Sequence, residues 1–288
     1  MRSECGGIIW CYREVRMRLS AFSVALVLIA GSGLAIADEL DDSLAALKQA
    51  ESAKDAAKVK QLAASIHAEA EKVVNVPAAQ VTDKETHDAQ VAHAKEVDTY
   101  GEYALFALAS QLRSQAGVAA DLISALEKQN PKSKYLDEPE ALEIQTENAL
   151  SRKQNDRALS YANRLIAAGN RKPADGDSAA DWEGRKNAAL AQGYWTAGVI
   201  QAEKDMLKDA DRNLRAALPL IKGNNAMNGP ALFYLGIVNY KIGKATLSKA
   251  KMLEAIKFSQ EAASIPGPQQ DQASRNAYNI KQEADKMR

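Results

Sequence analysis

Apolar residues in the first third of the chain return at helical intervals. Val59, Leu62, Ile66 and Val73 fall on one stripe, and residues 38–75 read as two helices that end at Asn75 to Pro77. Thr82-Asp83-Lys84-Glu85 has the form of a capping box. In such a box the threonine oxygen takes an orphan backbone N–H and the glutamate returns to the cap, so a new helix is expected to start there. Between Ala167 and Ala180 the run AAGNRKPADGDSAA gathers Gly, Pro, Asp and Ser and divides two helical halves. Near the C terminus, Ala273, Ala277, Ile280 and Ala284 occupy one narrow side of residues 269–288, with charge elsewhere. That is the pattern of a solvated helix closing an apolar stack.

The first 37 residues follow a different rule. Leu19 to Ala37 is uncharged, Arg16 and Arg18 precede it, and Ala35-Ile36-Ala37 stands ahead of Asp38. A basic start, an apolar run and a small-x-small end describe a secretory signal peptide spanning residues 1–37. Met17 sits just before Arg18, which makes residues 1–16 readable as an upstream start. The alternative is an uncleaved membrane anchor, since such a run can just cross a bilayer; Gly31, Gly33 and the Ala-x-Ala site favour cleavage. Membrane contact is expected only through this segment, and the remainder is expected to be exported, periplasmic or secreted. Both cysteines, Cys5 and Cys11, precede Met17, so a chain starting at Asp38 has no thiol for a disulfide, a lipid or nucleophilic catalysis.

A search for internal similarity organises the rest. In residues 191–224, Tyr194, Ala197 and Gly198 are followed by Ala210, Leu214 and Ala217, at offsets of 4, 7, 8, 20, 24 and 27. Residues 100–133 repeat the register with Tyr103, Phe106, Ala107, Ala119, Ile123 and Leu126, and Pro131 falls at offset 32. Residues from 229 onward give Leu232, Leu235 and Gly236, a turn at Gly243, then Ala255, Phe258 and Ala262, with seven extra residues between the two halves. Seven residues make about two helical turns, so the insertion lengthens a helix without much rotating its buried face. A degenerate copy at 139–172 keeps Ala158, Ala162 and Leu165 but has Thr146 where a small residue is expected.

This register resembles the tetratricopeptide repeat family, in which small residues let two antiparallel helices touch while large apolar ones fill the gap between pairs. The resemblance implies an all-α, right-handed α-solenoid of helix pairs over residues 99–268, preceded by an N-terminal helical segment, 38–98, and closed by a capping helix, 269–288. The two helices of 38–75 either cap the first repeat or form a divergent fifth. The remaining alternative is an irregular helical bundle with chance matches.

Charge and chemistry narrow the function. The 288 residues carry 37 basic and 37 acidic side chains, and removing residues 1–37 leaves 33 and 35. A near-neutral chain offers no electrostatic footprint for nucleic acid, which is held through many phosphate contacts. His67, His87 and His93 are the only histidines; His87 and His93 are six apart, about 600° of helical rotation, and do not share a face as metal-binding pairs at i and i+4 do. Phosphate-loop and dinucleotide-loop patterns are absent. Asp41 with Asp42 and Glu138 with Glu140 read as exposed surface. The expectation is therefore no catalytic residue, no metal and no cofactor.

What remains is a surface. In the family this chain resembles, first helices line a concave groove, and carrying those positions over selects Gln192, Trp195, Val199, Ala202 and Glu203, then Pro230, Phe233, Ile237, Tyr240 and Lys241. Exposed together, Trp195, Phe233 and Tyr240 would form an apolar interaction patch. The alternative is that they pack on neighbouring helices. The Lys, Asn and Arg set that some family members use to hold a partner's C-terminal carboxylate is mostly missing, so carboxylate capture is not expected. The function expected is a non-catalytic scaffold of the envelope or secreted space that binds a peptide or helix. A self-associating structural component, or a hydrolase with a site near His67, His87 and His93, are the alternatives.

Overall fold

A computed structural model describes residues 33–77, 80–172 and 178–287, with side chains from Glu39 onward. Among the described residues the chain is all-helical. The helices are α1 (Gly33–Ser52), α2 (Ala56–Val74), α3 (Lys84–Gln111), α4 (Ala116–Gln129), α5 (Pro139–Ser151), α6 (Asn155–Gly169), α7 (Ala179–Glu203), α8 (Leu207–Ala217), α9 (Asn225–Thr246), α10 (Lys249–Ala263) and α11 (Gln270–Ala284). A 3₁₀ turn at Lys134–Asp137 lies between α4 and α5. Most of the expected signal segment lies outside the described residues. α1 begins at Gly33 and so runs through the expected cleavage site after Ala37.

Helices form where the sequence pattern placed them, and their ends show why. α3 starts one residue later than the capping box suggests: Asp83, not Thr82, is the cap, and its carboxylate accepts from the N–H groups of Glu85 (3.0 Å) and Thr86 (3.3 Å). The Thr86 hydroxyl also donates to Asp83 (2.7 Å), and these bonds hold the Asp83 carboxyl below its ordinary value. α3 then continues unbroken past residue 98, so the expected boundary between the N-terminal segment and the repeats falls inside one helix.

Four turns share one design. Lys54, Lys153, Asp205 and Leu247 sit at φ of 55°, 57°, 58° and 53° in the connections α1–α2, α5–α6, α7–α8 and α9–α10. In each, the next residue's N–H reaches back five positions: Asp55 to Ala50, Gln154 to Ala149, Met206 to Gln201 and Ser248 to Gly243, at 2.8 to 3.0 Å. This is the Schellman closure, in which one left-handed residue satisfies the last carbonyls of a helix. The residue that donates is also the N-cap of the following helix. The α1–α2 hairpin is thus built like the later pairs. The turn expected at Gly243 lies instead at Leu247, because α9 carries the extra residues as added helix.

Packing follows chain order. Each helix lies against the next, and the odd-numbered helices also touch one another in succession, α1 on α3, α3 on α5, and so on to α11. Among the even-numbered helices α2 lies against α4, while side chains bridge α4 to α6, with Arg157 3.8 Å from Glu127, and α8 to α10, with Arg215 2.9 Å from Glu254. α1 and α3 run parallel: His93 faces Asp41 (3.1 Å) and Tyr100 bonds Glu51 (2.8 Å). α6 and α7, on either side of the Ala167–Ala180 loop, also pack closely. A Cβ on Gly193 of α7 would stand 2.8 Å from Ile166 Cγ1 and 3.0 Å from the Ala162 carbonyl.

Small residues set the seams. Ala107, Ala119, Ala158, Ala162, Ala210, Ala217, Ala255 and Ala262 are all buried. A Cβ on Gly198 would meet Leu214 Cγ at 2.6 Å, and one on Gly236 would meet Ser259 Oγ at 2.4 Å. Thr146, the departure in the degenerate copy, is fully buried, and its hydroxyl donates to the Leu142 carbonyl of its own helix (2.7 Å), so no polar atom is stranded. At the C terminus Ala273, Ala277, Ile280 and Ala284 are the buried residues of α11.

Two glycines on α7 separate seam packing from helix propensity. Gly198→Ala is expected to destabilise by about 1–3 kcal/mol through overpacking against the fully buried Leu214. Gly184→Ala, where a Cβ meets nothing within 4 Å, is expected to stabilise by about 0.5–1 kcal/mol. Urea unfolding of both variants checks the pair.

Candidate interaction surface

α7 and α9 lie side by side and parallel, because the indole N–H of Trp195 donates to the Met227 carbonyl in the first turn of α9 (2.8 Å) and the Tyr234 hydroxyl donates to Glu203 (2.8 Å) near the end of α7. Lys241 forms an ion pair with Asp205. Burial, then the bond to Glu203, pushes the Tyr234 hydroxyl up to about 12. Tyr194, Trp195, Val199, Phe233 and Tyr234 are half-buried and share one apolar cluster with the fully buried Leu214 and Leu235. Phe233 meets the edge of Tyr234 with ring centroids 5.6 Å apart.

The structure places the expected surface residues in three groups. Gln192, Trp195, Val199, Pro230, Phe233, Ile237 and Tyr240 are half-buried, and Glu203 and Lys241 are exposed. Ala202 is buried with Ala210 and Val238 and does not face outward. The aromatics do not form a bare patch: Trp195 is tied to α9, and Tyr240 turns toward the last helix, where its hydroxyl donates to Glu283 (2.9 Å) beneath Lys244. That bond is the largest influence holding Glu283 below its ordinary value. A ring at a helix junction covers its neighbour, and a helical period cannot say in advance how much of it stays open.

Buried charge lies elsewhere. Glu143 of α5, almost fully buried, pairs with Arg113, whose second nitrogen reaches Glu147 (3.2 Å). Burial raises the Glu143 carboxyl above its ordinary value against the opposing pull of Arg113. Glu102 of α3 accepts from Asn130 (2.7 Å) and Ser133 (2.6 Å) beyond α4. Asn239 of α9, fully buried, donates to Asp211 (2.7 Å) and accepts from Arg215 (3.2 Å) and Lys251 (3.1 Å). The Glu102 and Asn239 sets join helices that follow one another in the chain, and the Glu143 set joins α5 to the turn between α3 and α4.

The histidines do not converge. His67 of α2 lies 3.1 Å from both oxygens of Asp98, His93 faces Asp41, and among the described residues no group of three or more His, Cys, Asp or Glu is arranged to hold a metal ion. Burial, opposed by His67, raises the Asp98 carboxyl. Among the described residues no helix is long and apolar enough to cross a membrane.

Sequence reasoning missed two features. Tyr100, Tyr103, Tyr135 and Phe106 form a run of rings with successive centroids 5.5 to 5.9 Å apart. The spacing of Tyr100, Tyr103 and Phe106 by threes on α3 was the available signal; Tyr135 joins them only through the fold. The other is Gln145 on α5, whose side-chain amide is buried without a hydrogen-bond partner.

No family model and no curated protein matches this chain. Among solved structures, a chain from work described as "Computational Design of Self-Assembling Cyclic Protein Homooligomers" is similar at 13% identity and a TM-score of 0.29, covering 88% of this chain and 96% of that one.

The raised Glu143 carboxyl sets a sign for acid stability. Between its ordinary value of 4.5 and its higher folded value, the native chain holds a proton that the unfolded chain has released. Its contribution is therefore full below 4.5 and is lost as pH rises through the folded value. Glu143→Gln is expected to flatten that fall, read as the urea midpoint against pH in the acid range for both chains.

Proposed function

We propose that this chain is an exported, non-catalytic interaction scaffold of the cell envelope or secreted space. In this reading it is a right-handed α-solenoid of tetratricopeptide-like helix pairs that binds a peptide or helix of another protein along the joint between α7 and α9. One observation carries the reading: half-buried Trp195, Val199, Phe233 and Ile237 lie on two parallel neighbouring helices, rimmed by exposed Glu203 and Lys241. An apolar centre with a charged rim is the anatomy of a binding surface, and aromatic side chains supply most of the affinity of such surfaces. The four Schellman turns and the chain-order contacts of the odd-numbered helices support the repeat architecture, in which stacking makes the core and leaves one continuous face for recognition.

A second reading has its own observation. Leu247, Leu253 and Tyr278, at 82%, 56% and 67% exposure, all lie on the last pair and α11, where self-association through the end of the stack would cover them.

Capture of partners from the source envelope by the full chain tests the first reading. Trp195→Ala with Phe233→Ala is expected to cut capture at least tenfold, and Glu203→Gln, which keeps an acceptor for the Tyr234 hydroxyl while removing the rim charge, is expected to weaken it with a melting temperature close to that of the parent chain. Unchanged capture by both variants overturns the reading. For the second, sedimentation velocity is expected to show a concentration-dependent rise in mass, and a monomer at all concentrations removes it.

A further inference from the structure

Leu253 of α10 and Tyr278 of α11 are large, apolar and exposed, and cations bracket both. On a helix surface the residues three and four positions away are a side chain's neighbours. For Leu253 they include Lys249 and Lys257, for Tyr278 they include Arg275 and Lys281, and none of these positions holds a carboxylate. All four cations are exposed, and among the described residues only Lys257 reaches a carboxylate, Glu261 at 3.9 Å. The far end of the helix order carries the opposite sign. Residues 38–127 hold 16 acidic against 8 basic side chains, and residues 128–288 hold 19 against 25. On α1, which packs on α2 and α3, Asp42, Ala45 and Gln49 recur at helical spacing on the exposed side, with Glu39 one turn before them.

We propose that the α10–α11 surface of one copy docks on the α1 surface of a second copy, head to tail. This deepens the self-association reading above and rests on it; what it adds is the direction of the contact. In a two-fold contact one patch meets itself, which here sets cations against cations or carboxylates against carboxylates, and like charges brought together oppose binding. The two unlike surfaces attract, and their contact leaves each copy with one surface open, so assembly continues beyond a pair. Size matches as well as charge. Leu253 and Tyr278 are large where Ala45 is small, the pairing that Leu214 and Gly198 make inside the molecule. The contact uses none of the α7–α9 residues assigned to capture of another protein, so either can fail without the other.

Sedimentation velocity of the full chain tests the direction. The parent chain is expected to grow with concentration through dimers to larger species, and to fall back toward monomer as salt rises from about 0.05 to about 0.5 M, because the attracting charges are exposed. Glu39→Lys with Asp42→Lys, and separately Arg275→Glu with Lys281→Glu, are each expected to weaken association at least tenfold at an unchanged melting temperature; Asp41, which faces His93, stays in place. An equal mixture of the two charge variants is expected to recover assembly, since the reversed surfaces then attract each other and so do the unreversed ones. Leu253→Ser with Tyr278→Ser, again at exposed positions, is expected to give the same loss without recovery in either mixture. A monomer at every concentration removes the self-association reading and this proposal with it. Association that stops at a dimer, that neither charge reversal weakens, or that the mixture of charge variants does not recover leaves the self-association reading standing and overturns head-to-tail docking.

Discussion

The closeness of neighbouring helix axes governs this molecule, and side chains of one carbon or none set it. α7 shows the constraint most clearly. Gly193 faces Ile166 of α6 and Gly198 faces Leu214 of α8, and five residues of helix turn the chain through about 500°, which puts the two glycines about 140° apart. One helix is thereby pressed between two others with side-chain atoms of the neighbours lying against its backbone. α9 uses a different spacing: Gly229, Gly236 and Gly243 recur every seven residues, facing Ile265, Ser259 and Met252. A heptad stays nearly on one side of a helix, which is why the extra residues of the last pair lengthen its seam without breaking it.

Apolar seams rich in alanine are smooth, and smooth seams specify register weakly. The buried polar sets do that work. Glu102 with Asn130 and Ser133, Glu143 with Arg113, and Asn239 with Asp211 and Arg215 each demand one alignment of the elements they join, since a slip would strand a buried charge or amide. Asn239 is the fullest case, satisfied by three charged side chains from α8 and α10. Gln145 breaks the pattern, buried to the same degree as these groups but with neither amide atom met.

Much of this architecture is legible in the chain. Valine and leucine periodicity located α2, the Ala273 to Ala284 stripe located the closing helix, and the recurrence of Ala or Gly at matched offsets located the seams. Local ambiguities were settled by geometry. Thr82 and Asp83 are both competent caps, and the backbone path selected Asp83. Gly243 is a good turn residue, yet it lies inside α9 because the chain reverses at Leu247, where a left-handed leucine completes a Schellman closure.

The sequence by itself determined where helices run and which side of each is apolar, because the 3.6-residue period and the size of a side chain are local properties. Only the tertiary structure decided what covers that side. Trp195, Phe233 and Tyr240 were expected to be open together, but the Met227 carbonyl and Glu283 reached Trp195 and Tyr240 from other helices, the Tyr234 ring lies against Phe233, and all three are left half open. Tyr135 joined the rings of α3, and Gln145 lost its partners, for the same reason. Exposure and hydrogen-bond satisfaction depend on groups distant in sequence, which no periodicity encodes.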